Sequence, residues 1–144
     1  MLFKTLCLLL CLALFDIQVN GFKHYVAYKR KIKFFSAWQQ CRLYNGHLAS
    51  IETPEENAQV ARAIKAVGDI TDDWYIGGTD IGFEGRFVWI GLNKIASYLN
   101  FNPGEPNNNK NEDCLIMKGS KAGEKWSDVS CEYEAEGFVC AFIL

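Results

Sequence analysis

The chain has only two histidines, His24 and His47, and they lie far apart in sequence. Neither belongs to an HExxH helix, and no serine sits in a nucleophile-elbow pattern, so the common signatures of zinc proteases and serine hydrolases are missing. No CxxC pair is present, which argues against a structural zinc site. No N-x-[ST] sequon occurs, so no N-glycan is expected. Positive charge is not in excess: the formal net charge is −2. That gives no reason to expect nucleic acid or an anionic membrane surface as partner. Beyond the first residues no apolar run is long enough to span a bilayer, so no membrane insertion is expected. Internal repeats and low-complexity linkers are also missing. At 144 residues the chain suits one domain.

What is present begins with "MLFKTLCLLLCLALF", an early Lys4 followed by an apolar run over residues 5–15. A charged start and a short apolar centre are the marks of a secretory signal. Val19 and Gly21 are small enough to flank a cleavage point, which places the mature start near Phe22. The expected organisation is therefore a signal at residues 1–21 and one domain at residues 22–144, secreted to the extracellular space. Cleavage removes Cys7 and Cys11 and leaves Cys41, Cys114, Cys131 and Cys140. An even number in a small secreted domain reads as disulfides, with three connectivities open.

Two helices are legible. "SAWQQCRLYNG" opens with Ser36 and has Gln39 three residues later, the pattern of a capping box. Ala37, Cys41 and Tyr44 share one face, and Gly46 offers a left-handed stop. "TPEENAQVARAIKAVG" has Thr53 as cap, Pro54 at the first position, and Glu55 and Glu56 at the positive end of the dipole. Val60, Ile64 and Val67 form its apolar stripe and Gly68 ends it. "YVAY", "WYIGG", "GRFVWI", "CLIM", "KWSD" and "GFVCAFIL" are short, aromatic and β-branched, and read as strands. Helices first and strands after give an α+β domain. "YKRKIK" reads as an exposed strand face. Trp74, Trp89 and Trp126 read as core. Residues 91–113 have little regular pattern, and a loop that long in a compact domain is functional or disordered. Its aromatics and Cys114 at its end favour order.

That loop holds "GEPNNNKNEDC". With "EPN" at Glu105, Pro106 and Asn107, "EDC" at Glu112, Asp113 and Cys114, "WSD" at Trp126, Ser127 and Asp128, "WYIGG", and four cysteines, residues 22–144 resemble a C-type lectin domain. The resemblance implies a C-type lectin fold: two helices flanking small antiparallel sheets, a long calcium-binding loop, and disulfides Cys41–Cys140 and Cys114–Cys131. It implies a cis bond between Glu105 and Pro106. It also implies a calcium ion held by Glu105, Asn107, Glu112, Ser127 and Asp128. Calcium takes six to eight hard oxygens, and carboxylates and amide carbonyls of this kind supply them. Ser127 departs from the family, most of whose sugar binders carry Asn there. By the same resemblance Asp80, Glu84, Asn108 and Asp113, with Glu112, fall on an accessory calcium site. Asn108 stands where many members have Asp.

The implied function is calcium-dependent binding of glycans or glycoproteins, with Glu105, Asn107, Glu112 and Asp128 contacting the sugar. The order Glu–Pro–Asn is linked in the family to mannose-type sugars, and Gln–Pro–Asp to galactose. Two alternatives stand beside it: a galactose-binding lectin, and a calcium-independent protein-interaction module on the same fold. Catalysis is not expected. Glu105 and Glu112 as a glycosidase pair would need one acid held protonated in a dry pocket, which a loop of asparagines does not offer. Nothing outside the domain supplies a stalk or coiled coil, so an oligomer would need a surface contact.

Overall fold

A computed structural model describes residues 22–108 and 111–144. The expected signal at residues 1–21 lies outside the described residues. Strand β1 (Lys23–Tyr28) leads to helix α1 (Phe34–Leu43), a short β2 (His47–Leu48) and helix α2 (Pro54–Lys65). Then come β3 (Trp74–Thr79), β4 (Val88–Trp89), β5 (Lys94–Ile95), β6 (Cys114–Ser120), β7 (Gly123–Val129) and β8 (Gly137–Ile143). All eight join one mixed sheet. Every expected strand segment but the basic run contributes, and β2 and β5, two residues each, are additions. The pairs are antiparallel except β3 with β8, which run parallel from Trp74 opposite Gly137. Strand β8 lies between β1 on one edge and β3 with β2 on the other, so the last strand closes the domain beside the first.

Alternation along the strands sends side chains to two cores. Trp74, Ile76, Leu115, Met117 and Trp126 pack on one face with Val60, Ala61 and Ile64 of α2. Tyr75, Ile116, Phe138 and Cys140 pack on the other with Phe34, Ala37 and Cys41 of α1. Both disulfides, Cys41–Cys140 and Cys114–Cys131, belong to this second side, with Cα separations of 5.4 and 5.2 Å. Gly77 of "WYIGG" sits in the irregular part of β3, where an added Cβ would meet the Leu48 carbonyl at 2.4 Å. Glycine is there because two backbones touch.

The expected capping box of α1 does not form. The helix starts at Phe34, with Lys33 as cap residue and no side-chain cap bond, so Ser36 lies inside the first turn. Two things displace it: Phe34 is fully buried, and its N–H donates to the Cys131 carbonyl at 3.2 Å. The left-handed stop is Asn45 (φ 66°), not Gly46. The Gly46 N–H donates to Cys41 O and the Asn45 N–H to Arg42 O, the paired bonds of a Schellman motif. Gly46 is needed for another reason, because a Cβ there would lie 2.6 Å from the Ala141 carbonyl.

Helix α2 follows its sequence closely. The Thr53 hydroxyl accepts from the Glu56 N–H at 3.1 Å, and the Glu56 carboxylate accepts from the Glu52 N–H at 2.8 Å. Lys23 and the Tyr25 hydroxyl of β1 also donate to Glu56, which ties the helix start to the sheet edge. Val67 falls beyond the helix end and is exposed, so the buried stripe is Asn57, Val60, Ala61 and Ile64. The basic run is not a strand face either. Strand β1 stops at Tyr28, and Ile32 makes a single bridge to Ala135 while its side chain enters the core under α1.

Candidate functional site

The long loop is ordered by one indole. Trp126 of β7 is fully buried, and Tyr98, Phe101 and Trp89 meet it edge-on with centroids 5.5–6.0 Å away. Its backbone pairs with the loop as well: the Trp126 N–H donates to Asn100 O and the Asn102 N–H to Trp126 O. Its indole N–H donates to Asn57 Oδ1 of α2 at 2.8 Å. Thus α2 holds β7, and β7 holds the loop. Two residues after Trp126, on the same strand, stands Asp128.

Asp128 is 3 % exposed. Its carboxylate accepts from two consecutive loop amides, Asn107 N–H at 3.0 Å and Asn108 N–H at 2.8 Å. The Glu105–Pro106 bond is cis, and Glu105 Oε1 accepts from the Asn107 side-chain amide at 2.9 Å. Carboxylate oxygens of Glu105, Glu112 and Asp128 lie within 4.8 Å of one another. Acids from the loop, from the run before β6 and from β7 therefore converge. The disulfide Cys114–Cys131 joins β6 to the turn after β7 just beyond them.

A second group adjoins. Asp80, Glu84 and Asp113 also bring carboxylate oxygens within 4.8 Å. Asp80 is 3 % exposed and accepts from the Gly85 N–H at 2.8 Å. The Thr79 hydroxyl and the Asp80 N–H both donate to the Asp113 carbonyl, which locks this group to the first through Glu112 and Asp113.

The proton affinities fit converging acids. Burial pushes the Glu105 carboxyl up to about 7, and the hydrogen bond with Asp128 and the charges of Asp128 and Glu112 add to it. Burial, then the charge of Asp128, raises Glu112. Burial pushes Asp80 up to about 6 against the Gly85 N–H, with Asp113 and Glu84 contributing. Glu112 Oε2, Asp113 Oδ1 and Asp80 Oδ1 are buried with no hydrogen-bond donor. A buried carboxylate oxygen without a donor is costly. Hard-oxygen sets of this kind suit a divalent cation such as calcium.

The expected residues divide as follows. Glu105, Glu112 and Asp128 come together, and Asn107 joins them through its side-chain bond to Glu105. Asp80, Glu84 and Asp113 come together as the second group. Asn108, expected there, has its backbone N–H committed to Asp128. The Ser127 hydroxyl accepts from Asn102 Nδ2 at 3.1 Å. Sequence reasoning missed Asn57 and Asn102, whose amides brace β7 and Ser127. Their signal was faint: a polar residue on the apolar stripe of α2, and an asparagine between Phe101 and Pro103.

Known proteins share this sequence family and this fold. The family model described as Lectin C-type domain matches residues 30–142. A perlucin-like protein of Mytilus galloprovincialis is 31 % identical over 121 residues, covering 78 % of this chain and 77 % of that one. A mannose-binding protein of Gallus gallus is 36 % identical over 100 residues, covering 69 % of this chain but only 36 % of that protein. Among solved structures, the cow CD23 C-type carbohydrate-recognition domain in the presence of GlcNAc2Man3 oligosaccharide is similar, with a TM-score of 0.74 at 31 % identity. That similarity covers 85 % of this chain and 88 % of the other.

Proposed function

The chain belongs to the C-type lectin domain family, a family of carbohydrate-binding domains rather than enzymes, and from that premise we propose that it binds mannose-type sugars through calcium. The observation that carries the reading is the convergence of Glu105, Glu112 and Asp128 within 4.8 Å, with acid oxygens that no donor satisfies. Glu105, Asn107, Glu112 and Asp128 would hold the ion, with Ser127 beside them. Asp80, Glu84 and Asp113 would hold a second; Asn108, expected with them, has its backbone N–H on Asp128. When bound, calcium supplies open coordination positions for two neighbouring sugar hydroxyls. Glu105 and Glu112 would accept hydrogen bonds from those hydroxyls, and the Asn107 amide would donate to them. Ser127 lacks the amide that asparagine would add.

The order of groups sets the preference. With acceptor first and donor third, the loop matches a pair of equatorial hydroxyls, as at positions 3 and 4 of mannose. Galactose has an axial 4-hydroxyl and meets the same groups at another angle. A mismatched donor or acceptor costs about 1–3 kcal/mol, or roughly one to two decades of affinity. The names of the chicken mannose-binding protein and of the CD23 complex support a mannose-containing ligand. Under the same reading residues 1–21 are a secretion leader and residues 22–144 the mature lectin. Two disulfides suit an oxidising compartment.

The test is retention on a mannose matrix in calcium, elution by chelator and recovery on adding calcium back. Free mannose should elute the protein at lower concentration than galactose, and Glu105→Gln with Asn107→Asp should shift preference toward galactose. Retention that ignores the chelator would favour a calcium-independent module instead.

A further inference from the structure

A groove of about 320 Å³ opens beside the sugar loop, with Phe87, Ile95, Ala96, Leu99, Phe101 and Pro106 in its walls. Phe87 and Ala96 are buried and form its floor, and the Phe87 and Phe101 rings meet at 5.4 Å. Ile95 and Leu99 form an exposed rim, 54 % and 51 % accessible. Ile81 and Phe83, on the turn that carries the second acid group, are exposed as well. Large apolar side chains gathered in this way mark a binding surface more often than chance.

Two observations say what the groove takes. The first is continuity. Pro106 is both a wall of the groove and the residue between Glu105 and Asn107, so the groove starts within one residue of the groups proposed to hold the sugar. The second is chemistry. Among the described lining residues Arg86 alone is charged, and its guanidinium lies over the Phe83 ring at 5.1 Å. Among the described residues, no carboxylate, amide or hydroxyl side chain lines the walls. A second sugar ring placed there would leave most of its hydroxyls without partners, which is unfavourable. A hydrocarbon chain would lose nothing and shed apolar surface.

Resting on the lectin reading above, we propose that this groove is an aglycone subsite: it takes the alkyl chain of an amphiphilic glycoconjugate whose sugar occupies the calcium site. The ligand class is then a sugar linked to a lipid-like chain, held at both ends. Ile95 and Leu99 grip the chain, and Pro106 joins the two halves of the site.

The experiment is competition against a mannose matrix, in calcium, by methyl and n-hexyl α-D-mannopyranoside, with the two galactosides in parallel. All are used below their micelle-forming concentrations. The hexyl glycoside should compete about tenfold better than the methyl one, well short of full burial of five added methylenes, because the groove is open. Ile95→Ser with Leu99→Ser should bring the ratio near one while methyl glycoside competition stays unchanged. These side chains are half exposed, so the fold should tolerate the change, and the unchanged methyl value checks that it has. Chelator should release the protein from the matrix with neither glycoside present. Equal competition by methyl and hexyl glycosides rejects the groove and leaves the lectin reading intact. If neither methyl series competes, the sugar reading fails and the subsite fails with it. A hexyl advantage that survives the serine changes assigns it to a different surface and overturns the proposal.

Discussion

Asp128 performs two tasks with one carboxylate. It fixes the loop by accepting from Asn107 and Asn108, and it completes the acid group with Glu105 and Glu112. Among the described residues, Glu112 Oε2 is buried and meets no donor. The two are therefore separable by mutation. Asp128→Ala should abolish calcium-dependent retention and also expose the loop to protease, whereas Glu112→Ala should abolish retention with the loop intact. Each should weaken binding by at least roughly 100-fold, the upper end of what losing even an outer-shell partner costs. Limited proteolysis beside matrix retention checks both. Ser127→Asn should hold or strengthen binding, since it adds a carbonyl and an amide; a weaker variant would assign the serine and its Asn102 partner a positive role.

The same carboxyls give a pH dependence. Burial and neighbouring acids raise Glu105 to about 7 and Asp80 to about 6 in the cation-free protein. Both values exceed those of an unfolded chain, so the folded state binds protons more readily. Their contribution to stability is full below about pH 4, the unfolded range, and is lost as pH rises through about 6 and 7. A cation must displace those protons. Apparent calcium affinity should fall as pH drops from 8 to 5.5, with proton release on binding. Calcium titrations followed by intrinsic tryptophan fluorescence at several pH values check this, and affinity independent of pH would exclude these groups as ligands.

At the scale of elements, the site depends on a brace two elements away. Asn57 joins helix α2 to strand β7 by accepting from the Trp126 indole and donating to the Glu124 carbonyl. Asn57→Leu removes both bonds and leaves the buried indole N–H unpaired, while the Glu124 carbonyl keeps the Asn100 amide. A loss of about 1–3 kcal/mol is expected, with melting lowered by several degrees. Because Trp126 organises the loop, sugar retention should fall as well, although Asn57 touches neither acid group. Thr53→Ala offers the contrast. It removes the α2 cap, costs about 1 kcal/mol, and should leave retention unchanged. Thermal melting and matrix retention on the two variants separate a brace from a general weakening.

For the whole molecule, charge and cross-links act together. Carboxylates gathered in two groups repel one another unless a cation lies between them. Calcium at 100 times its dissociation constant should add about 2.7 kcal/mol to folding, so the melting point should rise with calcium concentration. An unchanged melting point at millimolar calcium would remove the site. The cross-links bound the same region: Cys114–Cys131 closes a separation of 17 residues and Cys41–Cys140 one of 99. In the chain-entropy model these are worth roughly 3 and 4.7 kcal/mol. Cys114→Ser with Cys131→Ser should therefore lower stability by about 3 kcal/mol and weaken calcium binding more than an equal loss elsewhere, because it frees β6 and β7 beside the acids.

The sequence by itself determined what local chemistry could determine. Helix α2 was legible to its cap, because Thr53, Pro54 and Glu56 act within one turn of each other. The acids of the loop were picked out by the resemblance of "EPN", "EDC" and "WSD" to C-type lectin motifs, and calcium chemistry adds only that hard oxygens of this kind suit the ion. What the sequence left open was decided by contacts between distant segments. Helix α1 begins at Phe34, ahead of its apparent capping box, because the core takes the Phe34 ring and Cys131 takes its N–H. Ile32 leaves an apparent strand face for the core under α1. Asn57 and Asn102 look like ordinary polar residues until β7 comes to lie against them. The groove beside Pro106 is assembled from segments whose residues are ordinary one by one. Propensity and capping are set by neighbours in the chain, whereas burial, bracing and the shape of a groove are set by which segments the sheet brings together.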